Sequence, residues 1–140
     1  MALQHLNTVH KLAVFEILNF VRQILNTFGN LMNFERVGTG QPLLMVHGLG
    51  ANLRTWNPLL SALSGSRELI LVDLPGHGRS IPLAGPQTFD AYADALAHFV
   101  DSQGLATADL IGSSIGGRLV LELARRGIGR HCVALNPGGF

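Results

Sequence analysis

The sequence predicts an α/β protein: a mostly parallel sheet with helices on both faces, preceded by an amphipathic N-terminal helix. Three observations predict it. The short, largely apolar runs Leu43 to Val46, Glu68 to Val72, Ala108 to Ile111 and Cys132 to Leu135 lack the polar alternation of a half-exposed strand and read as strands buried on both faces. Segments with helical spacing separate them, and strand alternating with helix means parallel strands joined by right-handed crossovers. Finally, 140 residues that are 47% apolar and 14% charged suffice for one core and leave no room for a disordered tail.

Two segments are expected, an amphipathic helix within residues 1–27 and a core domain over residues 28–140. From residue 3 to about 25, Leu3, Leu6, Val9, Ala13, Ile17, Phe20, Val21 and Ile24 fall on one side of a helix. Gln4, Lys11, Asn19, Arg22, Gln23 and Asn26 fall on the other, while Phe15 and Leu18 blur the pattern. Such a face packs on the protein's own body or on a second subunit. A membrane-surface helix is disfavoured, because only Lys11 and Arg22 are basic.

Phe28-Gly29-Asn30 reads as a turn and Leu31 to Val37 as a strand. Gly38-Thr39-Gly40-Gln41-Pro42 breaks the chain before the strand at Leu43. A helix is expected from about Leu53 to Leu63, then the strand Glu68 to Val72, then a Pro/Gly-rich loop from Asp73 to Gly85. Thr88 caps the next helix, with Asp90 in its first turn, and Phe89, Tyr92, Ala93, Leu96, Phe99 and Val100 form its stripe. Gly104 ends it. The strand at 108–111, a helix from about Ile115 to Arg126 closed by Gly127, and the strand Cys132 to Leu135 follow, and Asn136-Pro137-Gly138-Gly139 ends the pattern.

A net charge of +1 gives no electrostatic reason to expect nucleic acid or an anionic surface. The one cysteine, Cys132, lies in an apolar run and excludes an internal disulfide, as for a cytoplasmic protein. There is no uncharged apolar stretch of membrane-spanning length and no basic segment leading into an apolar signal core.

Gly112-Ser113-Ser114-Ile115-Gly116 has the G-x-S-x-G pattern, and it stands between a predicted strand and a predicted helix, the setting in which it marks a nucleophilic serine. The turn is so tight that bulk is excluded two residues before and after Ser114. Alone the pattern is weak in a chain with 17 glycines, and the plainer reading is a Gly-rich loop whose serine caps a helix. A second motif raises its weight. Attack on a carbonyl puts negative charge on its oxygen, which needs backbone donors. The elbow offers the N–H of Ile115, and the loop His47-Gly48-Leu49-Gly50, after Leu43 to Val46, lets Gly48 and Gly50 curl the backbone to present the N–H of Leu49. Both motifs fall at strand carboxyl ends, where open α/β sheets place their sites.

With these pieces in place, the sequence resembles the α/β-hydrolase family, as a partial α/β-hydrolase sheet. The resemblance runs over roughly residues 31–139 through Gly38 to Gly50, Trp56, Asp73-Leu74-Pro75-Gly76-His77-Gly78-Arg79-Ser80 and Gly112 to Gly117, in the family's order. It implies Ser114 as the nucleophile, Leu49 and Ile115 as oxyanion donors, a small-molecule ester or acyl substrate, and no cofactor or metal. Serine at the elbow speaks against the dehalogenases and epoxide hydrolases of the family, which carry Asp there. His47 and His77 are read as shaping their loops, with Gly48, Gly50, Gly112 and Gly116 in support, and Asp73 as a loop anchor.

The sequence departs from the family after the elbow. The family order is Ser, then an acid, then His, whereas here Glu122 lies inside the elbow helix, His131 enters the last strand, and Asn136 stands where some members have an acid. The resemblance implies two further strands beyond residue 139. The chain is therefore expected to be an N-terminal half, a gene fragment or a piece of a split enzyme with little activity alone. Its apolar last strand and N-terminal helix are the surfaces for a homodimer or a complementing C-terminal half.

Two other readings compete. In a dinucleotide-binding module, Gly48-Leu49-Gly50 would hold the pyrophosphate and Asp73 the ribose, but Leu53 takes the place of the third glycine. In a non-catalytic interaction protein, the half-sheet would be retained as a scaffold and the greasy helix would dimerise.

Overall fold

The computed structural model describes residues 8–18, 20 and 32–138, in two units, Met1–Asn30 and Leu31–Phe140. In the first unit, residues 8–18 form helix α1, with side chains of Val9, Phe15 and Ile17 exposed. The rest of the predicted 3–25 helix, residue 20 apart, and the predicted turn at 28–30 lie outside the described residues.

In the second unit, five strands, β1 (Phe34–Val37), β2 (Gln41–Val46), β3 (Arg67–Val72), β4 (Asp109–Ser113) and β5 (Cys132–Leu135), form one sheet in the order β1-β3-β2-β4-β5. The pairs β2–β3, β2–β4 and β4–β5 are parallel, and β1 runs antiparallel to β3. Short apolar runs announce strands but not their directions, so the reversed first strand was not readable in advance.

The expected helix over 53–63 is two pieces, a 3-10 turn at Leu53–Trp56 and α2 (Asn57–Leu63). The Asn52 side chain accepts from the Arg54 N–H (2.9 Å) to start the turn, and Pro58, which donates no N–H, sits at the start of α2. Helix α3 (Phe89–Ser102) begins as expected, with the Thr88 hydroxyl accepting from the Ala91 N–H at 3.2 Å. Helix α4 (Ile115–Arg125) follows β4 without a linker beyond Ser114.

Alternation along β2 and β3 divides the core between the two faces. Leu44, Val46, Ile70 and Val72 join Leu110 under α3 and α4, against Leu96, Phe99, Leu119 and Leu123. Met45, Leu69 and Leu71 pack under Leu53 and Trp56 on the opposite face. Burial of both faces explains why these strands read as unbroken apolar runs. The register Val46↔Val72, Val46↔Gly112 and Ser113↔Leu135 aligns the carboxyl ends of four parallel strands along one edge.

Candidate active site

Along that edge lie the loops after β2, β3 and β5 and the junction from β4 to α4. Ser114 forms the junction, with φ 55° and ψ −123°. This is the mirror image of the ordinary extended region, costly for a residue with a Cβ. Two hydrogen bonds hold it: its N–H donates to the Leu135 carbonyl at the end of β5 (3.0 Å), and its carbonyl accepts from the Arg118 N–H in α4 (3.2 Å). The side chain is exposed and makes no capping bond to the helix, which removes the plainer reading of Ser114 as a helix cap.

The glycines around it are there for space. A Cβ on Gly112 would land on the Gly116 carbonyl and 2.7 Å from the Gly117 nitrogen, and one on Gly116 would strike the carbonyls of Val46 and His47. The elbow thus closes on itself and presses α4 against the end of β2. Gly48 approaches from the β2 side, where a Cβ would come within 3.2 Å of Ser114 Cβ and 3.8 Å of its Oγ. The loop at 47–50 and the serine are therefore immediate neighbours. Within it the Ala51 N–H donates to the Gly48 carbonyl (3.2 Å), and Gly50, at φ 73°, fills the third position of the turn, where a type II turn requires glycine. The Leu49 side chain is 71% exposed at the tip, while Ile115 tucks its side chain into the core beneath α4.

His47 is fully buried, and both ring nitrogens are committed. Nε2 accepts from the Leu74 N–H (3.0 Å), which leaves the proton on Nδ1 to donate to the Gly48 carbonyl (2.7 Å). Burial holds the imidazole below the usual histidine range. His77 adds to that, and the Gly48 carbonyl and Asp73 offset it only in part. In a trans peptide C=O and N–H point in opposite directions. Pinning the Gly48 carbonyl to the ring therefore turns the Leu49 N–H away from it. His77 lies with its ring centre 5.2 Å from that of His47, its Nδ1 3.0 Å from the Pro75 carbonyl.

Asp73 anchors the loop after β3, as the sequence suggested. Its buried carboxylate accepts from the Leu53 N–H (2.7 Å), the Asn33 side chain (2.8 Å) and the Arg79 N–H (3.0 Å). Burial raises its pKa, and these donors more than reverse the effect, leaving it below the ordinary Asp range. Gly78 passes so close that a Cβ would overlap the carboxylate. Ser80 completes the knot: its hydroxyl donates to the Asp73 carbonyl (2.6 Å) and accepts from the Asn33 N–H (2.7 Å). The part played by Asn33 was not foreseen, because a lone Asn ahead of a strand carries no pattern of its own. The carboxylate is buried, with Gly78 packed against it and three protein donors bound, and the Leu53 N–H is spent on it, so the geometry disfavours the dinucleotide reading.

His131 is remote from Ser114. It enters β5 at the amino end of the sheet, with Nδ1 2.8 Å from the buried Asp109 carboxylate, which also binds Arg67 and, at 3.4 Å, Arg130. Strand β4, Asp109–Ser113, separates that cluster from Ser114. Glu122 faces outward from α4 and is bound by Arg125 (2.7 Å) and Arg126 (2.9 Å). Asn136, by contrast, stands beside the elbow at the end of β5, exposed, with φ 48°. Among the described residues there is no cluster of His, Cys, Asp and Glu able to hold a metal, and no helix long and apolar enough to cross a membrane.

A family model for the alpha/beta hydrolase fold matches residues 41–135. The dihydrolipoyllysine-residue acetyltransferase component of an acetoin cleaving system from Cupriavidus necator is 33% identical over 103 residues, 73% of this chain and 28% of that protein. The pimeloyl-acyl-carrier-protein methyl ester esterase of Neisseria meningitidis is 40% identical over 82 residues, 59% of this chain and 25% of the esterase. Among solved structures, a thermophilic esterase from Thermogutta terrifontis is similar with a TM-score of 0.64 at 35% identity, over 70% of this chain and 37% of the esterase. The chain thus spans well under half the length of each of these relatives.

Proposed function

Since the chain belongs to the alpha/beta hydrolase fold family, matched over residues 41–135, we propose that it carries the nucleophile and oxyanion site of a serine hydrolase acting on carboxylic esters or related acyl compounds. The observation that carries the reading is the backbone of Ser114, a non-glycine residue held at φ 55° with its hydroxyl spent on no helix cap. Strain of that kind persists where the surrounding structure enforces it, and it lifts the hydroxyl clear of the helix. In the reaction Oγ attacks the substrate carbonyl carbon, the hydroxyl proton leaves to a base, and the carbonyl oxygen becomes an oxyanion. The N–H groups of Ile115 and Leu49 receive that charge, and the positive end of α4 supports it. Collapse expels the alcohol, and water then releases the acid from Ser114.

The proton acceptor limits what residues 1–140 do alone. His47 is buried and bonded through both nitrogens, and His131 lies with Asp109 at the far end of the sheet. In this reading a complementing C-terminal half supplies the acid and the histidine, and the isolated chain keeps only the residual catalysis of an oxyanion site. Labelling with a fluorophosphonate, with and without such a half, tests it. Labelling that Ser114→Ala abolishes, and that the added half accelerates, supports the reading. No labelling in either mixture removes it.

A further inference from the structure

The described residues include two non-glycine residues with positive φ, Ser114 at 55° and Asn136 at 48°, and they stand side by side. Ser113 is in register with Leu135, and the Ser114 N–H donates to the Leu135 carbonyl at 3.0 Å, so the two positive-φ residues follow the last paired positions of β4 and β5. Adjacent strands run about 5 Å apart, which brings a group bound at Ser114 within reach of the Asn136 side chain. The backbone around Asn136 is also held in place. The next residue, Pro137, lies against the first turn of α4, where a Cβ on Gly117 would come 3.2 Å from its Cα.

The sheet order β3-β2-β4-β5 puts the loops after β2 and β3 on one side of Ser114 and the end of β5 on the other. On the β2 and β3 side the exposed side chains are mixed, with Leu49 (71% exposed) in the loop after β2 and Arg79, Ile81 and Gln87 in the loop after β3. On the β5 side is Asn136, whose carboxamide both donates and accepts. Resting on the reading of Ser114 as the nucleophile, we propose that Asn136 is a specificity-determining residue. It binds a hydroxyl, carbonyl or amide on the substrate, and the substrates are esters with a hydrogen-bonding group towards β5. Asparagine is suited to both tasks, since it tolerates the left-handed conformation and carries a compact neutral polar group.

Two fluorophosphonates of equal chain length, one with a plain alkyl arm and one with a hydroxyl on that arm, test the assignment on the full chain. The wild type is expected to react about three- to tenfold faster with the hydroxylated reagent, the worth of one neutral hydrogen bond. Asn136→Gly keeps the positive φ and removes the carboxamide. It is expected to lose that preference while its melting temperature and its rate with the alkyl reagent hold. An unchanged preference in Asn136→Gly overturns the proposal, as does a wild type with no preference. If neither reagent labels Ser114, with or without the complementing half, the nucleophile reading fails, and the role of Asn136 is still decided by binding. With Ser114→Ala and the corresponding hydroxylated dialkyl phosphonate, the Asn136 side-chain NH₂ resonances shift if the proposal holds. Resonances that stay in place at saturation overturn it.

Discussion

At the amino end of the sheet, Asp109 is buried and its carboxylate is shared among Arg67, Arg130 and His131, whose side chains reach out into solvent. At the carboxyl end, Asp73 and His47 are buried too, but their bonds include the backbone groups of Leu53, Arg79, Leu74 and Gly48. The first arrangement ties side chains together and is open to screening by salt. The second fixes the path of two loops, and those loops flank a serine whose hydroxyl caps nothing. Finding Asp and His in a hydrolase-like sheet therefore says little until their partners are known. Here the residue types of a triad occur at both ends and serve as fasteners.

The contrast predicts unequal costs. The largest falls on the glycines of the elbow. Gly116→Ala drives a Cβ into the Val46 and His47 carbonyls and is expected to cost about 3 kcal/mol or more, measured by urea unfolding. Asp73→Asn replaces an acceptor of three hydrogen bonds by a group with one acceptor and two donors, and should cost about 2 kcal/mol.

Acid should act in two steps. His47 is held below its ordinary 6.5, so below that pH the unfolded chain takes up a proton that the folded ring refuses. Its contribution to stability is complete above 6.5 and falls as the pH drops. His47→Gln should flatten that limb of the stability–pH curve. Asp73 and Asp109 are held below 3.8, so their contributions are present above that value and are lost as the pH falls through their folded pKa values.

Ser114→Gly reverses the usual sign. Glycine accepts φ 55° without strain, so the variant should be more stable by about 1 kcal/mol while losing all fluorophosphonate labelling. The smallest effect belongs to the amino end. His131→Ala removes one exposed partner from a carboxylate that retains two arginines. It should cost less than about 0.5 kcal/mol and leave labelling unchanged.

Most of the second unit was legible because its signals are local. The apolar runs of β2 and β3, the Thr88 cap and the glycines of the elbow each follow from a few adjacent residues. What escaped depends on distant pairing. The direction of β1 comes from its register with β3, and the grip of Asn33 on Asp73 joins residues 40 apart in sequence. The Asp109 cluster likewise gathers Arg67 and His131 from different strand ends. At the site, the sequence marks Ser114 and the loop at 47–50, but their approach across Gly48, and the left-handed backbone of Asn136 beside them, arise only where separate strands meet.

A crystal structure of the phosphonylated protein would decide whether Ser114 faces the two backbone amides. Phosphorus is expected on Ser114 Oγ, with its non-bridging oxygen about 2.7–3.1 Å from the backbone nitrogens of Leu49 and Ile115. Phosphorus on another residue, or an oxygen turned to solvent away from both amides, would contradict it.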